Sequence, residues 1–506
     1  MKTRILKILT YEHTRFLWGL FLISCAVRIL FFWVFTRHGE NFLIHFDSAQ
    51  YQNLAQNIFL GNGITGSDGL AQYYRLPGYS LFLALCYKLF GHNYQSALLF
   101  QILLASLIPV LIFLLAQLLF PTQVFVAKVS SIIASVHVGF VLYAGMLATE
   151  TLFTLFFLGF LLFFFKGLLR YSGTYFFLAG LLLGCASLIR PVGLFVLIFA
   201  VVLSVFISIF ERKNESVAWI PGSNLRPSWL RWTSKPGLPA EATLGVGGDD
   251  VRESVTLLGK KLNPRNIVLL TLGWLSVVIW WLARNYILSG FIFFHTLPGL
   301  HFLQYSATKI IIETKNCSYV QARKIVLLEW DDAIKEQEIT TGRVLHDYEK
   351  CVLAEKIAYK YMKQHPLRAI KNGIIEMCKT CCALYSAQII LSDTGVWPDY
   401  GPGVTFCSKI KRFLLPEVHH KYLIPIIYWD IILTILTLLG FLGFIVPSVF
   451  DTTLLSIALK TVPFIGLMVF LTVAYGCARL RLPIEPLLLI LASYCWCFIV
   501  RTRKLS

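Results

Sequence analysis

Residues 77–91 read PGYSLFLALCYKLFG, and their fate decides on which side of a membrane every later loop falls. The stretch is apolar but shorter than the ~20 residues a helix needs to cross hydrocarbon. Lys88 also interrupts it. If it crosses, Lys166, Arg170 and the segment 211–265 lie outside. That segment carries Arg212, Lys213, Arg226, Arg231, Lys235, Arg252, Lys260, Lys261 and Arg265. If it lies along the outer interface as an amphipathic or buried helix, all of these fall inside, together with Arg501, Arg503 and Lys504. Basic residues flank spans on the cytoplasmic side, so the second arrangement is expected.

The chain around this stretch has the composition of a membrane protein. Of its 506 residues 57% are hydrophobic and only 14% are charged, against about 25% charged in soluble domains. Lipid-exposed backbone must satisfy its own hydrogen bonds, so the long apolar blocks are expected to be helices. Spans are expected at 16–36, 95–120, 124–146, 151–170, 174–190, 192–211, 266–288, 422–446, 453–475 and 483–500. Lys2, Arg4, Lys7 and Arg15 place the N-terminus inside. Residues 16–35 are too long for a signal-peptide core and lack a small-residue cleavage pattern, so they read as a permanent first span. The fold class is therefore all-α polytopic, with about ten transmembrane helices and a first outer loop, 37–94, carrying interfacial helices. Residues 1–288 form the N-terminal transmembrane catalytic module, 289–421 an extracytoplasmic segment and 422–506 the C-terminal transmembrane helices. The linker 211–265, rich in Pro, Gly and Ser, reads as a flexible cytoplasmic loop. No internal repeat is present. The formal charge of +18 belongs to the membrane flanks. Nucleic acid is excluded as a partner, because no basic stripe is interleaved with stacking aromatics.

Few residues can carry chemistry. Asp47 lies in HFDSAQY (45–51), with Tyr51 and Ala55 following at helical spacing. It reads either as an N-cap or as a surface carboxylate that takes a hydroxyl proton or holds a cation. Arg75, in YYRLPGY (73–79), reads as a snorkelling side chain or as a phosphate contact, to which its planar fork is suited. Glu150 opens a span at the same outer face, and a carboxylate within the bilayer must sit at an end or face a polar cavity. It complements the helix dipole or acts with Asp47. Arg28 and Arg190 are intramembrane arginines and hence functional candidates. An ion pair of Arg28 with Glu150 or Asp430 is the structural alternative. Trp280, Trp281, Arg284, Asn285 and Tyr286 close the seventh span, as an aromatic belt does. Arg479 and Arg481 stand in an outer loop, against the positive-inside bias, and outward guanidinium groups there can hold a lipid phosphate. Cys378, Cys381 and Cys382 form a CxxCC run without paired metal-ligand spacing. In an oxidising compartment a disulfide between Cys407 and one of these thiols is expected; free thiols are the other reading. No Ser-His-Asp grouping, phosphate-cradling Gly loop or His-rich motif is present.

In order along the chain these pieces resemble the C-type (GT-C) membrane glycosyltransferases. The branch is that of protein O-mannosyltransferases and the aminoarabinose transferase that modifies lipid A. The matching residues are Asp47/Tyr51/Ala55, Arg75/Pro77/Gly78/Tyr79, Glu150, Arg190/Pro191, Trp281/Arg284/Asn285 and Arg479/Arg481/Pro483/Pro486. The ordered set covers nearly the whole chain. The resemblance implies a GT-C fold and inverting transfer of a sugar from a polyprenyl-phosphate donor to a lipid, glycan or protein acceptor. It implies a bacterial inner-membrane location, membrane lipids as partners, and an active site facing the periplasm or outside. It assigns Asp47 as the leading base, with Glu150 as second catalytic carboxylate. Tyr51, Arg75, Tyr79, Arg190, Arg284, Asn285, Arg479 and Arg481 are the implied substrate-binding residues. The donor phosphate is expected against Arg75 and one or both of Arg479 and Arg481. A divalent cation shared by Asp47 and Glu150 stays open, and no other cofactor is called for. Ser48 stands where the mannosyltransferase branch usually has a second acid, so the acceptor class stays open. A transporter or flippase of a lipid-linked intermediate is the alternative; it would need the same outer arginines. A scaffold would leave Asp47, Glu150 and those arginines unexplained.

Overall fold

The computed structural model describes residues 11–37, 47–67, 69–170, 172–217, 264–394 and 418–503. Most of the linker 211–265, as well as Cys407, lies outside these residues. The described chain is helical, with one isolated β-bridge between Thr65 and Ala71. This is the expected all-α polytopic membrane architecture.

In chain order the first helices are α1 (Tyr11–Thr36), α2 (Ser48–Phe59), α3 (Gly78–Phe90), α4 (Tyr94–Ala105), α5 (Ile108–Leu119), α6 (Val124–Ser135) and α7 (Val138–Ala144). Then come α8 (Glu150–Arg170), α9 (Gly173–Ile189), α10 (Val192–Val217) and α11 (Pro264–Ser289). The segment expected outside holds α12 (Leu297–His301), a π-helical turn (Phe302–Ala307), α13 (Thr308–Lys315), α14 (Tyr319–Thr341), α15 (Asp347–Gln364), α16 (Pro366–Cys382) and α17 (Ser386–Thr394). The chain ends in α18 (Ile424–Ser448), α19 (Thr452–Phe470), the single turn α20 (Ala478–Arg481) and α21 (Glu485–Arg503). Among the described residues seven helices are long and apolar enough to cross a membrane, and two bent pairs would bring the number to nine. The expected ten is not reached by length, because α9 and the apolar part of α10 are short.

One break is stabilised by polar side chains. The α6–α7 pair bends by 48°, which exposes carbonyls that hydrocarbon cannot satisfy. Arg28 Nη1 donates to the Ser135 carbonyl at 3.3 Å, and Trp429 Nε1 donates to that of Val136 at 3.2 Å. Arg28 thus pairs with neither Glu150 nor Asp430; it caps a broken span and bonds its own Ser24 carbonyl at 3.0 Å. At Arg190-Pro191, α9 and α10 meet almost without a loop, as their short apolar lengths require. α9 packs on α11 through small residues, the usual device where lipid removes any hydrophobic preference. A Cβ on Gly180 would stand 2.1 Å from the Leu270 carbonyl oxygen, and one on Gly273 2.3 Å from that of Phe177.

α3 contains the segment that opened the sequence reading. Its 13 residues make about 20 Å of helix, too little for a ~30 Å hydrocarbon core. It packs on α2: the Ser80 hydroxyl donates to the Tyr51 carbonyl at 3.1 Å, and the Tyr51 and Tyr79 rings meet edge to face at 5.2 Å. Tyr79 donates to Gln101 at 3.0 Å, and Gln101 in turn donates to the carbonyls of Tyr143, Ala144 and Met146. α2 and α3 are thereby seated on the chain just before Glu150. α10 leaves from beside Arg190, and α11 returns to the same face. There Arg284 reaches the carbonyls of Ile64 and Gln72 at 2.8 and 3.1 Å. The segment 289–394 has a small core of its own, including Leu303, Ile311, Val326 and Ala354. Cys317, Cys351, Cys378, Cys381 and Cys382 are free thiols.

Candidate active site

Five charged side chains from five separate elements meet at one face. Asp47 stands at the N-cap position of α2, but its side chain makes no capping bond. Its oxygens turn instead to arginines: Arg75 Nη2 lies 2.6 Å from Oδ1, and Arg479 Nη1 3.1 Å from Oδ2. Glu150, fully buried at the start of α8, takes Arg190 Nη1 at 2.6 Å and also pairs with Arg479 Nε. Arg479 therefore bridges the two carboxylates. Burial works against its charge, but Glu150 and Asp47 outweigh it and hold the guanidinium firmly protonated.

The supporting contacts are equally specific. Arg75 Nε donates to Gln50 at 2.6 Å, and its guanidinium lies over the Tyr51 and Tyr74 rings. Tyr51 is buried beneath the cluster. The approach to Arg479 is fixed from behind. Glu376 of α16 accepts the Gly476 N–H at 2.8 Å and pairs with Lys309 and Lys379 at 2.9 and 2.8 Å.

Other expected site residues are not brought to the cluster. Arg481, two residues beyond Arg479, points the opposite way. Only 2% exposed, it pairs with Glu485 at 2.6 Å and donates to the carbonyls of Thr380, Cys381 and Ala383. Arg284 and Asn285 hold loops: Arg284 binds the first loop as described, and Asn285 donates to the Phe293 carbonyl at 3.1 Å. Tyr79 supports from below.

The structure adds residues that the sequence reading passed over. His301, at the end of α12, is reached by solvent but walled by protein. Burial and the neighbouring Arg75 push its imidazole down to about 4, Asp47 pulling the other way and Arg479 adding to the fall. His295 is likewise held at about 4 by burial. The His301 and Tyr305 rings lie 5.6 Å apart, and Tyr305 stacks on Tyr475 at 4.6 Å, four residues before Arg479. Scattered histidines and tyrosines gave no periodic signal by which to find this wall.

Among the described residues the cluster counts three guanidinium groups against two carboxylates, an excess of one positive charge. No three His, Cys, Asp or Glu side chains gather there or elsewhere among those residues as metal ligands. Both carboxylates face guanidinium groups, so the arrangement does not fit a divalent cation held between them. It fits an anion.

One comparison, with a family model, agrees with the class that the motifs resemble. Residues 75–222, which include Arg75, Tyr79, Glu150 and Arg190, match the family model described as dolichyl-phosphate-mannose-protein mannosyltransferase. The resemblance to that branch of the membrane glycosyltransferases is borne out over this stretch. Among solved structures the chain is similar to the archaeal oligosaccharyltransferase AglB from Archaeoglobus fulgidus, in complex with an inhibitory peptide and a dolichol-phosphate. The identity is 11% over 98% of this chain and 51% of that chain, with a TM-score of 0.49. The chain thus spans about half the length of that enzyme. It is also similar to ArnT from Cupriavidus metallidurans bound to undecaprenyl phosphate, at 13% identity over 96% of this chain and 78% of that chain, with a TM-score of 0.36. No curated protein sequence matches.

Proposed function

We propose that the chain transfers a glycosyl group from a polyprenyl-phosphate donor to a lipid, glycan or protein acceptor, at the extracytoplasmic face of a bacterial inner membrane. The observation that carries this reading is the bridge of Arg479 between Asp47 and Glu150, with Arg75 and Arg190 on the flanks. The dolichol-phosphate and undecaprenyl phosphate bound in the similar structures support a lipid phosphate as the anion that these arginines receive.

In this reading the donor phosphate enters against Arg75, Arg190 and Arg479 and competes with the carboxylates for them. Asp47 is released from its ion pairs as the phosphate takes its arginines. The acceptor hydroxyl then loses its proton to Asp47 while its oxygen attacks the anomeric carbon. The bond from that carbon to the phosphate oxygen breaks, and its electron pair leaves with the polyprenyl phosphate. Attack from the face opposite the phosphate inverts the anomeric centre. Guanidinium groups aimed at the leaving oxygen stabilise the charge as it develops. Glu150 keeps Arg190 and Arg479 in place, while Tyr51 lies beneath Arg75 and Tyr79 packs on Tyr51. Arg284, Asn285 and Arg481 act as positioning residues: the first two hold the loops of the site, and Arg481 holds the turn behind Arg479.

The test is release of polyprenyl phosphate by the purified chain in liposomes, supplied with a panel of polyprenyl-phosphate sugars and cell-envelope acceptors. A chain that only moves lipid-linked sugars across the bilayer leaves the donor intact.

A further inference from the structure

Helix α16 is built inside out. Its inward residues are polar: Asn372, Glu376 and Thr380 are buried beside Gly373. Glu376 holds Gly476 and two lysines, as described, and Thr380 donates to the Thr472 hydroxyl at 2.7 Å. Its outward residues are apolar. Leu367, Ile370 and Ile374 are 81%, 61% and 51% exposed, and Cys378 and Cys382 continue the same stripe in steps of four. Its polar and apolar residues lie on separate faces. A helix in water turns its polar face outward. Here the order is reversed, so the medium on the outer side of α16 is apolar.

Two further observations say what that medium is. First, the C-terminal end of α16 is tied to the membrane bundle. The chain turns by 92° into α17, whose residues 386–391 are all buried. At the turn the Ser386 N–H donates to Asp430 of α18 at 2.7 Å, and the Tyr385 hydroxyl donates to Glu485 of α21 at 3.0 Å. α18 and α21 are both candidate spans. Second, Lys363 stands exposed just before α16, and Lys371 on it stays 60% exposed while it pairs with Glu313 at 3.1 Å. Lys363 is placed to meet anionic headgroups.

We propose that α16 lies in the headgroup–acyl boundary of the leaflet on the cluster's side, with its apolar stripe in lipid and Lys363 on anionic lipid phosphates. The segment between α11 and α18 is then not wholly outside the membrane, and α16 is an interfacial element, not a span. Because Glu376 fixes Gly476, three residues before Arg479, the seating of α16 in lipid supports the loop that delivers Arg479. The proposal does not depend on the reaction assigned above.

The test uses the full chain in nanodiscs of phosphatidylcholine with phosphatidylglycerol. Ile370→Cys and Ile374→Cys, in a background without other accessible thiols, carry a bimane fluorophore. Tyr359→Cys, exposed on α15, is the aqueous control. These positions are exposed, so the fold tolerates the label. Lipids spin-labelled near the headgroup should quench positions 370 and 374 strongly, lipids labelled near the bilayer centre weakly, and aqueous iodide hardly at all. Tyr359→Cys should show the reverse preference between lipid and iodide. Exchange of phosphatidylglycerol for phosphatidylcholine should reduce the shallow quenching. Iodide quenching equal to the control would place α16 in water and overturn the proposal. Quenching strongest from the bilayer centre would make α16 part of a span, and absence of quenching by either agent would mean that protein covers the stripe; both also overturn it.

Discussion

Arg479 and Asp47 meet at 3.1 Å across 432 residues of sequence. The contact joins the turn α20 to the start of α2. The same guanidinium engages Glu150, so a single side chain holds together three parts of the chain. Asp47, Arg75 and Glu150 lie at or just before the starts of α2, α3 and α8, and Arg190 follows the end of α9; at the end of a helix a charge escapes the full cost of hydrocarbon.

Replacement of Arg479 separates charge from geometry. Arg479→Lys keeps one positive charge but cannot bridge two carboxylates and a phosphate with a planar fork. Transfer should fall partially in Arg479→Lys and by about 10²–10³ in Arg479→Ala, a loss typical of a donor that stabilises a developing oxyanion. Donor KM should rise in both, and Arg75→Ala should behave alike. Steady-state kinetics with varied donor checks this. Unchanged donor kinetics would mean that these arginines only hold the carboxylates.

Arg481 should answer differently. Arg481→Met leaves Glu485 charged and buried, and breaking such a pair costs about 3–5 kcal/mol. The protein should lose thermal stability and yield, while the surviving fraction keeps its donor KM. Arg481→Met combined with Glu485→Gln should recover most of the melting temperature in detergent. A raised donor KM in the rescued double variant would return Arg481 to the phosphate site.

Much of this was legible in the sequence. Glu150 and Arg190 stand out because charge is expensive near hydrocarbon, Asp47 and Arg75 because they sit in outer-loop motifs, and Arg479 because it runs against the positive-inside bias; all five converge. The helix expected over residues 77–91 is present and short, at 13 residues. What could not be read is direction. Arg479 and Arg481 look equivalent in the sequence, yet the turn α20 sends one to the cluster and the other into the bundle. The capping reading of Asp47 also failed for a long-range reason: arginines 28 and 432 positions away take its oxygens. The inverted face of α16 was hidden as well, since its apolar period alone would fit a helix packed either way round.

Close approach makes Gly476 sensitive. A Cβ there would stand 1.8 Å from the Glu376 carbonyl oxygen. Gly476→Ala should push the loop off α16 and displace Arg479, with transfer falling while the protein still inserts and purifies. Normal turnover in Gly476→Ala would show that the loop can shift without moving Arg479.

The site should also make the fold sensitive to acid. His301 and His295 lie near 4 in the fold against about 6.5 in an unfolded chain. Between these values the unfolded state binds the extra protons, so stability falls as pH drops from about 6.5 toward 4. A His295→Asn, His301→Asn variant should lose less melting temperature between neutral and mildly acidic pH than the parent chain. Parallel curves would mean that neither imidazole resists protonation.

Asp47→Asn tests the central claim most directly, since no capping bond is lost and the side chain keeps its size, while its charge and the ion pairs to Arg75 and Arg479 are removed. The measurement is release of polyprenyl phosphate from a polyprenyl-phosphate sugar by equal amounts of reconstituted parent and variant. The expected result is normal abundance with transfer reduced by roughly 10²–10⁴, the contribution of a general base. Turnover equal to the parent would contradict the assignment, remove Asp47 from the chemistry and leave Glu150 as the remaining carboxylate.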